Sequence, residues 1–139
     1  MPYQLIYASR SSHPLVPAEV KTLLQRSRSS NEQTGVTGAL ILHNGQFLQL
    51  LEGDASTVCK LYQHILQDPL HEHAVQLAFS EVSRPYFAGW SMGLLSGTAG
   101  NRKMFLQHVG GESFNPMALD AAGATELFDL IHKNVHWLS

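Results

Sequence analysis

Two polar side chains stand in strand-like segments at positions where apolar residues are expected. Tyr7 follows Leu5 at the two-residue spacing of one strand face. Gln49 lies between Phe47 and Leu51 on one face of a second segment. A buried tyrosine hydroxyl and a buried amide both require hydrogen-bond partners. Each residue alone is more simply explained as a solvated side chain, but together they indicate a polar ligand on an apolar face.

Two further positions could take part in chemistry. Asn31 follows the predicted first helix and would stand at the mouth of the same space, although an asparagine there also suits a plain turn. Residues 9–13 follow the first strand and include Arg10, so they are the one loop that could serve a small hydrolase. This loop lacks the glycines of a phosphate-binding loop, which weighs against that alternative.

The histidines raise the question of a metal site. His71 and His73 form one pair, and His132 and His136 form an i, i+4 pair. Neither pair has a third and a fourth ligand nearby, so we predict no metal and interpret these residues as exposed loop and helix positions. Cys59 is the single cysteine, which excludes an internal disulfide. No nucleophile elbow, phosphate-binding loop or dinucleotide fingerprint occurs.

The elements that would position these residues follow the order β-α-β-β-α-β-β. Asn44 and Gly45 suit a two-residue type I′ turn between two strands. Pro17 suits the first turn of a helix, and a polar stretch from Ser29 is expected to end that helix. The predicted strands cover residues 3–8, 36–43, 46–52, 75–82 and 90–95. This order predicts an α+β, ferredoxin-like fold with two helices on one face of a mixed sheet.

The C-terminal part of the chain is predicted to be a helical tail. A Gly-rich joint at 97–101 separates a domain at 1–96 from a helical extension at 97–139. Within the extension, helices are expected near 102–109 and 118–135.

The second face of the predicted sheet is also apolar. Ile6, Leu48 and Leu50 alternate with the residues of the first face. We expect the tail helices, another subunit or both to cover this surface, because large apolar patches are rarely left exposed.

Composition restricts the class of protein. The chain has 139 residues, of which 44% are hydrophobic and 14% charged, and this describes one globular unit. A net charge of −2 without Lys or Arg runs disfavours nucleic acid and anionic membrane partners. The N-terminus shows no signal peptide and no segment is apolar enough to span a bilayer, so a cytoplasmic location is the default expectation.

The whole pattern resembles the BLUF family, the sensors of blue light using flavin. The resemblance covers residues 3–94, and its tail is similar to that of short stand-alone members with two C-terminal helices. The Phe-Leu-Gln-Leu-Leu-Glu-Gly strand and the Trp-Ser-Met ending are specific in combination. The matching segments are Leu5-Ile-Tyr7-Ala-Ser, Ser27-Arg-Ser-Ser-Asn31, Gly35-Val-Thr-Gly-Ala-Leu, Gly45-Gln-Phe-Leu-Gln49-Leu-Leu-Glu-Gly53, Ile65-Leu-Gln-Asp68-Pro-Leu-His71 and Phe87-Ala-Gly-Trp90-Ser-Met92.

This resemblance implies a ligand and a set of roles. The isoalloxazine ring of a flavin would lie between the two helices, with FAD as the expected form and FMN or riboflavin as alternatives. Tyr7 would be the light-driven electron donor, and Gln49 would link it to the flavin. Trp90 and Met92 would form the signalling pair on the fifth strand. The implied cofactor-binding residues are Tyr7, Ser27, Asn31, Gln49, Asp68 and His71.

The implied function is a blue-light photoreceptor and not an enzyme. Electron and proton transfer from Tyr7 through Gln49 would rearrange hydrogen bonds, and the signal would leave through contact with an unidentified downstream protein or within a homo-oligomer. Ser30, His64 and Leu70 depart from the common pattern near the phosphate, which leaves the flavin form open. The alternatives are a non-photoactive ligand-binding or assembly module and a small acylphosphatase-like hydrolase.

Overall fold

A computed structural model describes residues 2–88, 92–96 and 114–134. The strands form a mixed sheet in the order β4-β1-β3-β2-β5, in which β2 and β5 are parallel and the other neighbours antiparallel. This is the predicted α+β, ferredoxin-like arrangement, which is thereby confirmed. Its elements are β1 (Tyr3–Ser11), α1 (Pro17–Thr34), β2 (Thr37–His43), β3 (Gln46–Gly53), α2 (Ala55–Gln67), β4 (His71–Glu81), β5 (Gly93–Ser96) and α3 (Ala121–Asn134), with a short 3-10 helix at Pro116–Ala118.

The β2–β3 hairpin sets the register of the centre of the sheet. Asn44 and Gly45 both have positive φ angles, 50° and 70°, as a type I′ turn requires. The turn brings His43 opposite Gln46. This register places Gln49 between its partners on β1 and β2, and its partner on β1 is Tyr7.

Helix α1 begins as predicted and ends later than predicted. Pro17 is its first residue, and the Glu19 carboxylate accepts a hydrogen bond of 3.2 Å from the backbone N–H of Val16. Gly35 caps the C-terminal end of the helix. It has a φ of 76°, and its backbone N–H donates a hydrogen bond to the Asn31 carbonyl oxygen. The expectation that the polar stretch from Ser29 ends the helix is therefore wrong. Apart from the buried Asn31, those polar residues continue the solvent-facing side of the helix instead.

Two strand boundaries also differ from expectation. Strand β4 starts at His71 and not at residue 75, because its first residues pair with Arg10 and Ser11 of β1. The described part of the fifth strand starts at Gly93. The helix predicted near 102–109 lies outside the described residues.

The two faces of the sheet carry separate apolar cores. The face under α1 and α2 includes Leu5, Tyr7 and Phe47. The opposite face includes Ile6 and Leu48, and α3 packs on it through three buried residues, Ala124, Phe128 and Ile131. The division of the chain at residue 97 remains a prediction. None of the described helices is long and apolar enough to cross a membrane.

The buried carboxylate of Glu52 is the centre of a hydrogen-bond network on the second face of the sheet. Glu52 is 1% exposed and accepts hydrogen bonds from Gln4 Nε2 and Thr37 Oγ1, each 3.0 Å long. It also accepts bonds from the backbone N–H groups of Tyr86 and Phe87. Four donors compensate for the removal of this charge from water. The turn that follows β4 is thereby attached to the end of β3.

Candidate functional site

A cavity of about 470 Å³ lies between α1 and α2, with β1 and β3 as its floor. All six residues that the sequence predicts as cofactor-binding line it: Tyr7, Ser27, Asn31, Gln49, Asp68 and His71. Apolar side chains supply much of the remaining wall, among them Leu23, Leu40, Phe47, Leu51, Leu61 and Ile65. The fold therefore brings the predicted set together in one cavity.

Tyr7 and Gln49 form a direct pair at the floor of the cavity. They are opposite each other on β1 and β3 and are 1% and 6% exposed. The Tyr7 hydroxyl donates a hydrogen bond to Gln49 Oε1. Gln49 Nε2 in turn donates to the sulfur of Met92 at 3.5 Å. An amide can form four hydrogen bonds, so capacity remains on the cavity side after these two contacts with described residues.

Burial controls the protonation of Tyr7. Loss of solvent raises the pKa of its phenol far above the ordinary value of 10.0, and the nearby Tyr62 and Asp68 raise it further. The ring of Tyr62 lies 5.2 Å from that of Tyr7, at a tilt of 43°. Tyr7 therefore keeps its proton at any ordinary pH and acts as the donor toward Gln49.

Asn31 and Ser27 reach the cavity from the same side of α1. They are four residues apart, so their side chains lie one above the other on the helix. Asn31 is 2% exposed and lies in the last turn of the helix. The prediction that it follows the helix, with a plain turn as the alternative, is wrong, because α1 continues to Thr34. Its position on the sheet-facing side of the helix explains its burial.

The opposite end of the cavity is formed around His71. Its Nδ1 lies 2.8 Å from the Ser9 hydroxyl, and its ring centroid lies 4.7 Å from that of Phe47. Desolvation lowers the pKa of His71 below its ordinary value of 6.5, although the Asp68 carboxylate acts in the opposite direction. Asp68 itself accepts a 2.9 Å hydrogen bond from the N–H of Leu70. His71 is therefore a largely neutral ring at the cavity wall.

Two sequence interpretations need correction here. His71 is not an exposed loop residue, because β4 begins with it and most of its surface is covered. The loop at residues 9–13 is shorter than expected, because β1 continues to Ser11. Ser9 is fully buried and is bonded to His71, so it is unavailable to a catalytic loop.

Met92 connects the cavity to the edge of the sheet. It is 1% exposed and lies directly before β5. Arg28 of α1 donates from Nε to the Met92 carbonyl oxygen at 3.1 Å, a contact that the sequence did not predict. The sequence could have indicated this contact only if the face of α1 that is turned toward β5 had been known. Trp90, the other predicted signalling residue, lies outside the described residues.

The donor set of the cavity fits a flavin. Its volume lies within the range of roughly 300–1,000 Å³ that is typical of small-molecule sites. Apolar walls suit the faces of a flat aromatic ring, and the amides of Asn31 and Gln49 suit its polar edge. Within the described ranges, no group of three His, Cys, Asp or Glu side chains converges as a metal site would require.

The fold and the site together define an α+β protein with a small-molecule cavity between two helices and the sheet, and with a tyrosine–glutamine pair on the floor of that cavity. The family model of sensors of blue light using FAD matches residues 3–93, well over half of the chain. The chain belongs to this family, BLUF, and the predicted resemblance is confirmed. Its members are flavin-dependent sensors of blue light.

Individual relatives agree with this assignment. Photoactivated adenylate cyclase subunit beta of Euglena longa is 32% identical over 89 residues, which are 63% of this chain and 10% of that protein. The chain thus spans about a tenth of that relative. The ground-state structure of BlsA has a TM-score of 0.82 at 24% identity, covering 100% of this chain and 92% of that one, and supports the fold alone. Klebsiella pneumoniae BlrP1 with FMN and cyclic diGMP has a TM-score of 0.69 at 27% identity, covering 96% of this chain and 35% of that one.

Proposed function

We propose that this chain is a blue-light photoreceptor in which Tyr7 and Gln49 are the photoactive pair. Ser27, Asn31, Asp68 and His71 would hold the flavin together with them, since all six line one cavity. The observation that carries the proposal is the buried hydrogen bond from the Tyr7 hydroxyl to Gln49 Oε1 at the floor of that cavity. A donor phenol and a rotatable amide are thereby in direct contact.

The chemistry that a bound flavin supplies is the absorption of blue light and the reversible acceptance of one electron. Tyr7 would supply that electron, and its hydroxyl would then become acidic, because a phenol that has lost an electron releases its proton readily. Gln49 Oε1 is the nearest acceptor for this proton. Return of the electron to Tyr7, together with return of one proton from the Gln49 amide to the Tyr7 oxygen, would restore the neutral phenol, so there is no net reaction. What remains is a Gln49 amide that has rotated or changed its tautomer.

Rearrangement of Gln49 changes its contact with Met92. One buried hydrogen bond is worth about 1 kcal/mol, which shifts a two-state equilibrium by roughly five- to tenfold. The element that transmits the signal must therefore have two conformations of nearly equal free energy before illumination. The short strand β5 and the residues before it, including the predicted partner Trp90, are our proposed output.

We propose FAD as the flavin, with FMN and riboflavin as alternatives. The family description names FAD, whereas the similar BlrP1 structure is described with FMN. The isoalloxazine ring is the part common to all three. Tyr7 and Gln49 would contact this ring.

The proposal includes the absence of an enzymatic activity. Signalling would occur by contact with a downstream protein or within a homo-oligomer, at a cytoplasmic location. The second face of the sheet is already occupied by α3, so an oligomer would have to use another surface of the described structure. Neither alternative function, a non-photoactive assembly module or a hydrolase, is favoured by a contact in the cavity.

An absorption spectrum of the purified chain, recorded in the dark and directly after blue light, tests the proposal. We expect an oxidised-flavin spectrum that shifts slightly to longer wavelength and returns in the dark. A flavin spectrum that does not respond to light would contradict the photoreceptor function. Absence of flavin, even after reconstitution, would contradict flavin binding itself.

A further inference from the structure

A polar row on α1 borders the mouth of the cavity. Thr22, Arg26 and Ser30 are spaced by four residues, so they stack along one side of the helix. All three are exposed, and all three line the cavity. The neighbouring row contains Ser27 and the buried Asn31, which reach deeper toward the sheet. The inner row of the helix can therefore contact the buried end of a ligand, and the outer row can contact the end that lies at the mouth of the cavity.

Arg26 is the single Lys or Arg among the described residues that line this cavity. It is exposed and forms no hydrogen bond or ion pair with the described part of the chain, so its donors are available to a ligand. The two lining carboxylates are already engaged. Glu19 contacts His13 Nε2 at 2.7 Å, and Asp68 accepts from the N–H of Leu70 at 2.9 Å. The lining thus carries one guanidinium, Arg26, while the α1 carboxylate, Glu19, lies about two helical turns away from it along the helix.

The opposite lip of the mouth is unsuited to an anion. Leu70 is apolar, and the neighbouring Asp68 carries a carboxylate. A phosphate that emerges from the cavity would be repelled there. It would be attracted to the guanidinium on α1, which offers a planar set of five N–H donors that matches phosphate oxygens.

We propose that Arg26, flanked by the hydroxyls of Thr22 and Ser30, binds the phosphate attached to the ribityl chain of the flavin. The site then selects phosphorylated flavins, FMN or FAD, over riboflavin. This inference rests on the proposed function, in which the ring lies at the inner end beside Tyr7 and Gln49. Arg26 acts only on the phosphate, so it determines the choice of flavin and not the affinity for the ring.

Equilibrium binding of riboflavin, FMN and FAD to the full chain tests this inference. Dissociation constants would be measured by flavin fluorescence for wild type, Arg26→Gln and Lys21→Gln. Lys21 is a matched control, because it is an exposed cation on α1 that does not line the cavity. We expect wild type and Lys21→Gln to bind FMN about tenfold more tightly than riboflavin, as one charge-assisted contact at an exposed site allows.

Arg26→Gln should lose this preference while its riboflavin affinity stays unchanged. Raising the salt concentration should weaken FMN binding to wild type more than to the variant. An unchanged ratio of FMN to riboflavin affinity in Arg26→Gln would overturn the inference and leave the proposed function intact. An equal loss of affinity for all three flavins would also overturn it, since this would indicate a structural role. Failure of wild type to bind any flavin would overturn the proposed function and this inference together.

Discussion

Tyr7 and Gln49 illustrate how burial makes a hydrogen bond directional. Because the pKa of the phenol is raised far above its usual range, the proton stays on Tyr7. The amide oxygen of Gln49 must therefore be the acceptor of the hydrogen bond. The amide NH2 group is thereby directed toward Met92 and the cavity. At this scale the sequence was informative for the strand residues, since alternation revealed which face they share. It was uninformative for Arg26 and Arg28, because their roles depend on the rotation of α1 relative to the sheet.

A pH prediction also belongs to single residues. Burial lowers the folded-state pKa of His71 below 6.5, so the unfolded chain takes up the proton first as the pH falls. The contribution to stability is complete above pH 6.5 and is lost as the pH falls toward the folded-state pKa. Within this window the slope for one proton is at most about 1.4 kcal/mol per pH unit. Urea unfolding should show a flatter pH dependence for His71→Gln than for wild type or for the exposed control His64→Gln. Equal slopes in all three proteins would contradict this assignment.

At the scale of elements, the side chain of Arg28 connects α1 to the residue that precedes β5. Arg28 donates to the Met92 carbonyl, while Met92 contacts Gln49 through its sulfur. The lateral position of β5 is therefore coupled to both the helix and the Gln49 amide. Sequence patterns predicted that both elements exist. They did not predict that α1 extends to Thr34, since a run of polar residues is equally compatible with a solvated helix face and with a loop.

We expect Arg28→Gln to loosen the start of β5. The loss of one hydrogen bond from a charged donor costs about 1.5 kcal/mol, or roughly tenfold in the local opening equilibrium. Hydrogen exchange of the amides in Gly93–Ser96 should accelerate by that factor, whereas Arg26→Gln on the same helix should leave it unchanged. Identical exchange in the two variants would show that Arg28 does not hold the strand.

At the scale of the whole molecule, the sheet is covered on both faces. Helix α3 buries Phe128 completely against the second face, where its ring centroid lies 6.3 Å from that of Phe87. Glu52 holds the backbone of Phe87 to β3, so the turn after β4 lies between the sheet and the tail helix. The sequence indicated that this face needs a cover, but apolar alternation cannot distinguish a tail helix from another subunit.

The contribution of the tail helix can be measured by truncating one side chain. Phe128→Ala should destabilise the chain by about 3–5 kcal/mol, because it leaves a cavity in the core of the second face. Leu130→Ala is the matched control, since Leu130 is 46% exposed on the same helix. We expect the control to change the free energy of unfolding in urea by less than about 0.5 kcal/mol. A mild effect of Phe128→Ala would mean that α3 is not part of the cooperative core.

The central claim is that the Tyr7 hydroxyl and its bond to Gln49 form the light switch. The most direct measurement is the light-minus-dark absorption difference of Tyr7→Phe beside that of Tyr62→Phe. Both rings are buried and adjacent, but the Tyr7 hydroxyl is the one that donates to Gln49. We predict that both variants bind flavin and that the reversible red shift is lost in Tyr7→Phe and kept in Tyr62→Phe. A normal red shift in Tyr7→Phe would contradict the claim.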